Sequence, residues 1–313
     1  MIPLFFGILI LVFVASRLAG DPVKLMLAFK PTIRPEAIEA LKRYYGLDQP
    51  LYYQFFLYVW NLFQGNLGIS YVVRGGTTVS TLIGNFAWET FKLQLAALAL
   101  SLAIAIPVGV LSARKQYSKT DVTVSTVSLV GTCIPVFYMG IVAILIFSYY
   151  LGWFPPFGAH SLLATHYPFG SYVVDELWHM VLPTTVLTFA TLAPVVLLVR
   201  SSMLEILRQD YILAAKAGGL SERTVIYKHA LRNALIPVVT YVGLYFGAML
   251  AGAPITEQVF NWPGVGRLFV DAVSQLDFPV LMGVTIFIAL MTLIANLVTD
   301  ITYAYIDPRI RLE

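Results

Sequence analysis

Charge is what this chain most lacks: Asp, Glu, Lys and Arg together make up 12% of its 313 residues, about half the share a soluble domain carries. A water-facing surface needs roughly a quarter to a third of its positions charged, so a soluble globular protein is excluded. Cysteine is nearly missing as well. The single Cys133 rules out an intramolecular disulfide and a zinc site built on several thiolates, and inside an apolar run it is expected to be a small buried hydrophobe. The dipeptide Gly-Lys does not occur, so no G-x-x-x-x-G-K-[ST] loop can cradle a nucleotide phosphate, and the chain does not hydrolyse ATP alone. H-E-x-x-H and G-x-S-x-G are also missing, and none of His160, His166, His179 and His229 stands at ligand spacing to another. A membrane protease or metalloenzyme is therefore disfavoured, and no catalytic residue, resident metal or cofactor is expected. His160 and His166, in an outer loop, and His229, in an inner one, read as solvated or interfacial. A net charge of +3 gives no support to nucleic-acid binding.

What the chain has in abundance is apolar sequence, 58% of it, gathered into long runs. Six stretches can cross a bilayer as helices: 2–19, 90–111, 122–151, 180–199, 235–256 and 280–299. The first is expected to stay as a span, because no basic residue precedes it and Arg17 follows Ala15 and Ser16, where a cleavage site needs small residues. Basic residues in short loops are retained on the cytoplasmic side. Arg114, Lys115 and Lys119 lie in one such loop, and Arg200, Arg208, Lys216, Arg223, Lys228 and Arg232 in another. Arg309 and Arg311 lie in the tail, whereas 152–179 has none and 257–279 only Arg267. Both termini are thus expected in the cytoplasm, with 1–19 a first span and 20–89 an extracytoplasmic loop. The membrane core would fill 90–306 with a cytoplasmic loop at 200–234, and 307–313 would be a cytoplasmic tail.

The first outer loop carries helix formers from Pro31 to Tyr45 and reads as a small folded subdomain. Leu51 to Phe63, LYYQFFLYVWNLF, reads as a helix at the membrane interface, where Tyr and Trp rings are favoured. Pro107, Pro135, Pro183, Pro194 and Pro254 lie in or near spans and are expected to kink them. Charges are nearly missing from the middles of the spans, which argues against a secondary transporter driven by its own ion path.

The loop from Asp210 to Pro237 reads helix, turn, helix. Asp210 can cap the first short helix, Gly218 and Gly219 permit a left-handed turn, and Ser221 can cap the second. Basic, helical and carrying Leu213, Val225 and Ile226 that read as exposed, it looks like a docking surface for a soluble partner.

With these residues in view, the chain resembles a known family: permease subunits of binding-protein-dependent ABC importers, in the dipeptide, oligopeptide and nickel branch, in the member with the large first outer loop. The resemblance rests on Gly20-Asp21-Pro22, on 45–50 (YGLDQP), on 65–68 (GNLG) and on the loop Asp210 to Pro237. It continues through 257–266 (EQVFNWPGVG), Asp277-Phe278-Pro279 and Asp307-Pro308-Arg309. It implies an all-α membrane protein of six transmembrane helices with the type I ABC importer permease fold and an extracytoplasmic subdomain between the first two. It places Asp210, Ala214, Ala215, Lys216, Gly218, Gly219, Leu220 and Ser221 on the "EAA" coupling loop, whose short helix enters a cleft on an ATPase subunit. Leu213 stands where the general motif has Glu, and Pro237 lies 18 residues past Gly219, farther than in the general motif. Family members generally open with an Arg-rich stretch, whereas this chain starts Met1-Ile2-Pro3.

The implied function is alternating-access import of small solutes, peptides first, with oligosaccharide or nickel as the branch's other cargoes. The partners implied are a second homologous permease, two ABC ATPases that hold ATP and Mg, an extracytoplasmic substrate-binding protein and the lipid bilayer of the cytoplasmic (inner) membrane. Glu257, Phe260, Trp262, Pro263 and Gly264 become candidates for an outer gate or for binding-protein docking. An ion-coupled secondary transporter is the alternative that composition alone leaves open.

Overall fold

The computed structural model describes residues 2–18, 43, 48–70, 72–164 and 167–306, and these are almost wholly helical. Among them the one strand-like feature is an antiparallel bridge between Ile69 and Thr78. The helices in chain order are α1 (Ile2–Leu18), α2 (Leu51–Phe63), α3 (Val79–Arg114), α4 (Lys119–Cys133) and α5 (Val136–Ala143, extended by a π-helical Ile144–Tyr150). They continue as α6 (Phe169–Ile206), α7 (Asp210–Ala217), α8 (Glu222–Thr224, extended by a π-helical Val225–Ala230) and α9 (Leu231–Ala234). The last four are α10 (Ile236–Met249), α11 (Pro254–Val259), α12 (Val265–Ser274) and α13 (Phe278–Ile306). The helix expected over 31–45, the motifs at 20–22, 45–47 and 307–309, and His166 lie outside the described residues.

Helices stand at all six expected span positions, and three of them, in α3, α6 and α13, are long and apolar enough to cross a membrane as they stand. The third expected span is not one straight helix. Its halves, α4 and α5, meet at 96°, because Ile134 is held extended (φ −80°, ψ 122°) ahead of Pro135, which has no N–H to continue the ladder. Cys133, at this break, is exposed rather than buried. The fifth is shorter than expected: α10 ends at Met249, Gly252 takes φ +85°, and Pro254 opens α11. Pro107, Pro183 and Pro194 sit inside unbroken helices.

The chain divides into two compact units, Met1–Thr90 with Leu250–Pro254 and Pro263–Ile294, and Phe91–Met249 with Ile255–Trp262 and Ala295–Glu313. In the first, Val79, Leu82, Ile83, Val265, Leu268, Ala272, Val280 and Val284 form a buried core. Phe13 of α1 packs on Phe55 and Tyr58 of α2. Asp277, fully buried, accepts the Ser70 hydroxyl at 2.7 Å and the amides of Val72 and Val73 at 3.0 and 3.1 Å, which fastens the loop after α2 to the start of α13. Gly266 is needed for space: a Cβ there would lie 2.7 Å from the Pro254 nitrogen and 2.8 Å from its Cα. Gly266→Ala is therefore expected to lose about 1–3 kcal/mol, read as a lower midpoint of thermal aggregation in detergent. An unchanged midpoint would show that this contact relaxes freely.

In the second unit, α3 and α6 run together with charge only at their ends. The stretches free of Asp, Glu, Lys and Arg are 93–113 in α3, 21 residues, and 177–199 in α6, 23 residues. At 1.5 Å per residue, 93–113 and the part 180–199 of the second stretch are each about 30 Å long, the thickness of a bilayer's hydrocarbon core, which leaves His179 at its boundary. One boundary carries an ion pair between Lys92 of α3 and Glu176 of α6. At the other, Arg200 of α6 pairs with Asp121 of α4. Between them the contact is made by small and hydroxylated residues, as membrane helices require for close approach. Ala97, Ser101 and Ala105 are fully buried, Thr188 donates to the Ala97 carbonyl at 3.3 Å, and Gly109 meets Val199.

Candidate functional site

The expected 200–234 loop begins inside α6, which runs on to Ile206 before the chain turns into α7. Gln209, extended, starts α7, so Asp210 is the first helical residue rather than the cap; its carboxylate still sits where the helix dipole favours a negative charge. The helix lasts two turns and ends in a Schellman arrangement. The Leu220 N–H donates to the Ala215 carbonyl at 3.4 Å and the Gly219 N–H to the Lys216 carbonyl at 3.1 Å. Of the two glycines only Gly219 is left-handed, at φ +78°; Gly218 is at φ −73°. Ser221 then caps α8, its hydroxyl accepting the Thr224 N–H at 3.3 Å.

Burial decides which face of α7 is presented. Ile212 is fully buried and Ala215 packs on the same cluster, with Met203, Val199, Val110, Ala113 and Ala230. Val225 and Ile226, expected at the surface, are in that cluster too, because the turn at Gly219 folds α8 back along α7 and needs apolar residues beneath it. The exposed apolar residues are instead Tyr211, Leu213, Leu220 and Tyr227, with Ala214, Lys216 and Gly218 between them. Tyr211 is steadied by the Asn233 amide, which donates to its hydroxyl at 2.7 Å. The result is a short helix held by one buried side and offering Leu213, Ala214, Ala217 and Leu220 outward.

Beneath the loop lies a network that sequence reading missed. Arg200 grips Asp121 with two hydrogen bonds, 2.6 and 2.8 Å, and the same carboxylate accepts the Ser112 hydroxyl at 2.5 Å and the Tyr117 N–H at 2.9 Å. The turn between α3 and α4 is thereby tied to α6 about two turns before that helix ends at Ile206. Arg114 adds a more exposed bond to Glu222, 3.0 Å. The only sequence signal was that Asp121 and Arg200 each border an apolar run, Asp121 just before 122–151 and Arg200 just after 177–199.

The second candidate segment, 257–264, does not offer a docking surface in this conformation. Glu257 and Trp262 are fully buried, Phe260 and Gly264 are buried and Pro263 is half-buried; Ile255 and Asn261 are the exposed residues. The turn after α11 repeats the Schellman pattern with a non-glycine, Trp262 N–H to Glu257 carbonyl at 2.8 Å and Asn261 N–H to Gln258 carbonyl at 3.2 Å, with Asn261 at φ +52°. Phe260 packs with Leu182 and Val186 of α6, and Val259 and the Phe260 ring pack closely on Gly140, where a Cβ would lie 3.0 and 3.3 Å from them. His160, expected to be solvated or interfacial, is half-buried, and His179 is buried, both beside Asp175.

Comparison with known proteins bears on this arrangement. A family model described as "Binding-protein-dependent transport system inner membrane component" matches residues 105–312. The oligopeptide transport system permease protein AppB of Bacillus subtilis (strain 168) is 43% identical over 310 residues, covering 99% of this chain and 96% of that protein. The di/tripeptide transport system permease protein DppB of Pseudomonas aeruginosa (strain UCBPP-PA14) is 41% identical over 328 residues, with the same shares covered. Among solved structures, one of the MetNI methionine ABC transporter in an inward-facing conformation matches with a TM-score of 0.56 at 17% identity, over 72% of this chain and 96% of that one.

Proposed function

We propose, since this chain belongs to the family of binding-protein-dependent transport system inner membrane components, that the solute it carries is a di- or oligopeptide. It is a transmembrane permease of an ABC importer, built on the type I permease fold, and its work is transport rather than catalysis. The two relatives described above are named for oligopeptide and di/tripeptide transport and match over nearly the whole chain, which supports the peptide reading.

The observation that carries the mechanism is α7: two turns, one face buried, the other open, at the end of a 38-residue helix. A partner that grips α7 can move α6 as a lever, because Ile212, Met203 and the Asp121–Arg200 network leave little slack between them. In this reading a pair of ABC ATPases binds ATP and closes. Closure draws α7 toward its counterpart on a second homologous permease, and the spans exchange inward- for outward-facing states. The coupling residues are Asp210, Ala214, Ala215, Lys216, Gly218, Gly219, Leu220 and Ser221. A substrate-binding protein delivers the peptide at the opposite face, where the segment containing Glu257, Phe260, Trp262, Pro263 and Gly264 serves as an internal element of the gate. The basic residues around the α3–α4 turn and the 200–234 loop support the reading that both face the cytoplasm.

Purification in mild detergent tests the assembly. Co-purification of P-loop ATPases and a second six-span protein, with ATPase activity raised by peptide-loaded binding protein, is the expected result; a lone stable chain would overturn it. Orientation has its own check on a Cys133→Ser background. An impermeant thiol reagent added outside is expected to label Leu162→Cys and to spare Lys115→Cys, and the reverse pattern would invert the topology.

A further inference from the structure

At the end of α6 opposite the 200–234 loop, five polar side chains meet that have no part in the coupling surface. Asp175, in the second turn of α6, accepts the Ser161 N–H on Oδ2 at 2.8 Å and the Ser161 hydroxyl on Oδ1 at 2.6 Å, which pins the loop 152–164 to the helix. Two imidazoles face the same carboxylate. His160 Nδ1 lies 3.7 Å from Oδ2 and has no hydrogen-bond partner, and His179 Nδ1, which donates to the Asp175 carbonyl at 2.8 Å, lies 3.7 Å from Oδ1. The His160 ring stacks on Tyr172 with centroids 4.2 Å apart, and its Nε2 is 2.8 Å from the Tyr172 hydroxyl.

The surroundings hold little else that titrates. The stretch 152–179 contains no Lys or Arg, and the neighbouring carboxylate on α6, Glu176, is engaged by Lys92 of α3. Phe260, on the other segment touching the loop, contributes a carbonyl that accepts the Gly158 N–H at 2.8 Å. The loop's remaining anchors are apolar: Phe154 lies against Trp178, and Ala159 and Ala164 are buried. With both imidazoles neutral, Asp175 is a mostly buried carboxylate held by uncharged donors. A proton on either ring turns a 3.7 Å approach into an ion pair, and imidazole is the side chain that gains charge just below neutral pH.

We propose that the loop 152–164 is a proton-tightened strap, in which external acidification charges His160 and His179 and draws the strap more firmly onto Asp175 of α6. The geometry sets the sign: positive charge arrives on two groups that both face one carboxylate, and the neighbouring cation, Lys92, is already paired with Glu176. Gly152 and Gly158, at φ +63° and +84°, are the points about which the strap swings when Ser161 lets go. The external setting rests on the orientation proposed above.

The test uses the assembled importer in intact cells on the Cys133→Ser background. An impermeant methanethiosulfonate reagent is added outside, and labelling rates are compared for Ala164→Cys, at the buried end of the strap, and Leu162→Cys, fully exposed on it. Their ratio cancels the thiol's own pH dependence. Between about pH 7.5 and pH 5.5 the ratio is expected to fall about fivefold, the scale of one partly exposed ion pair. The double variant His160→Gln, His179→Gln is expected to hold it constant, and Asp175→Asn to raise it at both pH values. A ratio that does not change with pH, or one that still changes in the double variant, overturns the proposal. If Leu162→Cys is not labelled from outside, the orientation has failed; the same ratio is then read in inverted vesicles and decides the strap independently.

Discussion

Gly219→Leu is expected to cut uptake about tenfold or more while leaving expression and membrane insertion intact. An added Cβ at Gly219 meets nothing within 4 Å, so the substitution brings no clash. The penalty is entirely in the backbone, where a φ of +78° places an L-residue in the left-handed region at about 1–2 kcal/mol. That is small against the stability of a membrane fold but large for a two-turn helix whose end is held by two hydrogen bonds. With the left-handed residue lost, Leu220 and Ser221 leave their places and the exposed side of α7 changes shape. Uptake is expected to fall about tenfold or more, matching the strain converted to an equilibrium constant. Gly219→Asn, which tolerates this backbone, is expected to retain most of it. Comparable uptake in the Leu variant, or equal loss in both variants, would remove the turn from the coupling mechanism.

Breaking the Asp121–Arg200 network is expected to have the largest effect on stability. Asp121→Asn keeps the shape and takes away the charge beneath Arg200, leaving a mostly buried guanidinium without its carboxylate. Loss of one partner of a buried pair costs about 3–5 kcal/mol, and the quarter of the Arg200 side chain that is exposed puts this case at the lower end. The signature is a lower midpoint of thermal unfolding in detergent together with lost coupling between ATP hydrolysis and uptake. Replacing both residues by Leu is expected to restore part of the midpoint, since no charge is then stranded, but not the coupling. If Asp121→Asn melts with the parent chain, the network is not what ties the α3–α4 turn to α6.

The parts of this molecule legible in its sequence are those that depend on solvent and on local backbone chemistry. Apolar runs found the helices because lipid requires every backbone group to be satisfied within the helix. Leu51–Phe63 was legible to its ends, bounded by Pro50 and by the Gly65 turn. The left-handed turn and the Ser221 cap were legible because Gly and Ser there have local reasons to be used. The 96° break was signalled by Pro135, yet the same residue type at Pro107, Pro183 and Pro194 leaves helices unbroken. What separates them is the extended backbone at Ile134, not the presence of proline.

Burial was not legible in the same way. Val225 and Ile226 looked exposed because they lie in a basic loop, and they are buried because α8 folds back on α7 and α6. Glu257, Phe260 and Trp262 looked like surface because they follow a span, and they are packed inside. His160 and His179 are 19 positions apart in the sequence, a spacing with no local meaning, and a loop and a helix bring them to one carboxylate. The sequence alone thus determined that the chain lives in a bilayer, that it cannot bind a phosphate by a P-loop, and that its basic loop from Asp210 to Pro237 is helix, turn, helix. Composition, missing motifs and capping residues are sufficient for each. Only the tertiary structure decided which face of α7 is offered, what Asp121 and Asp277 hold, and which loop is strapped to α6. Those depend on contacts between residues tens to hundreds of positions apart, and no periodicity records them.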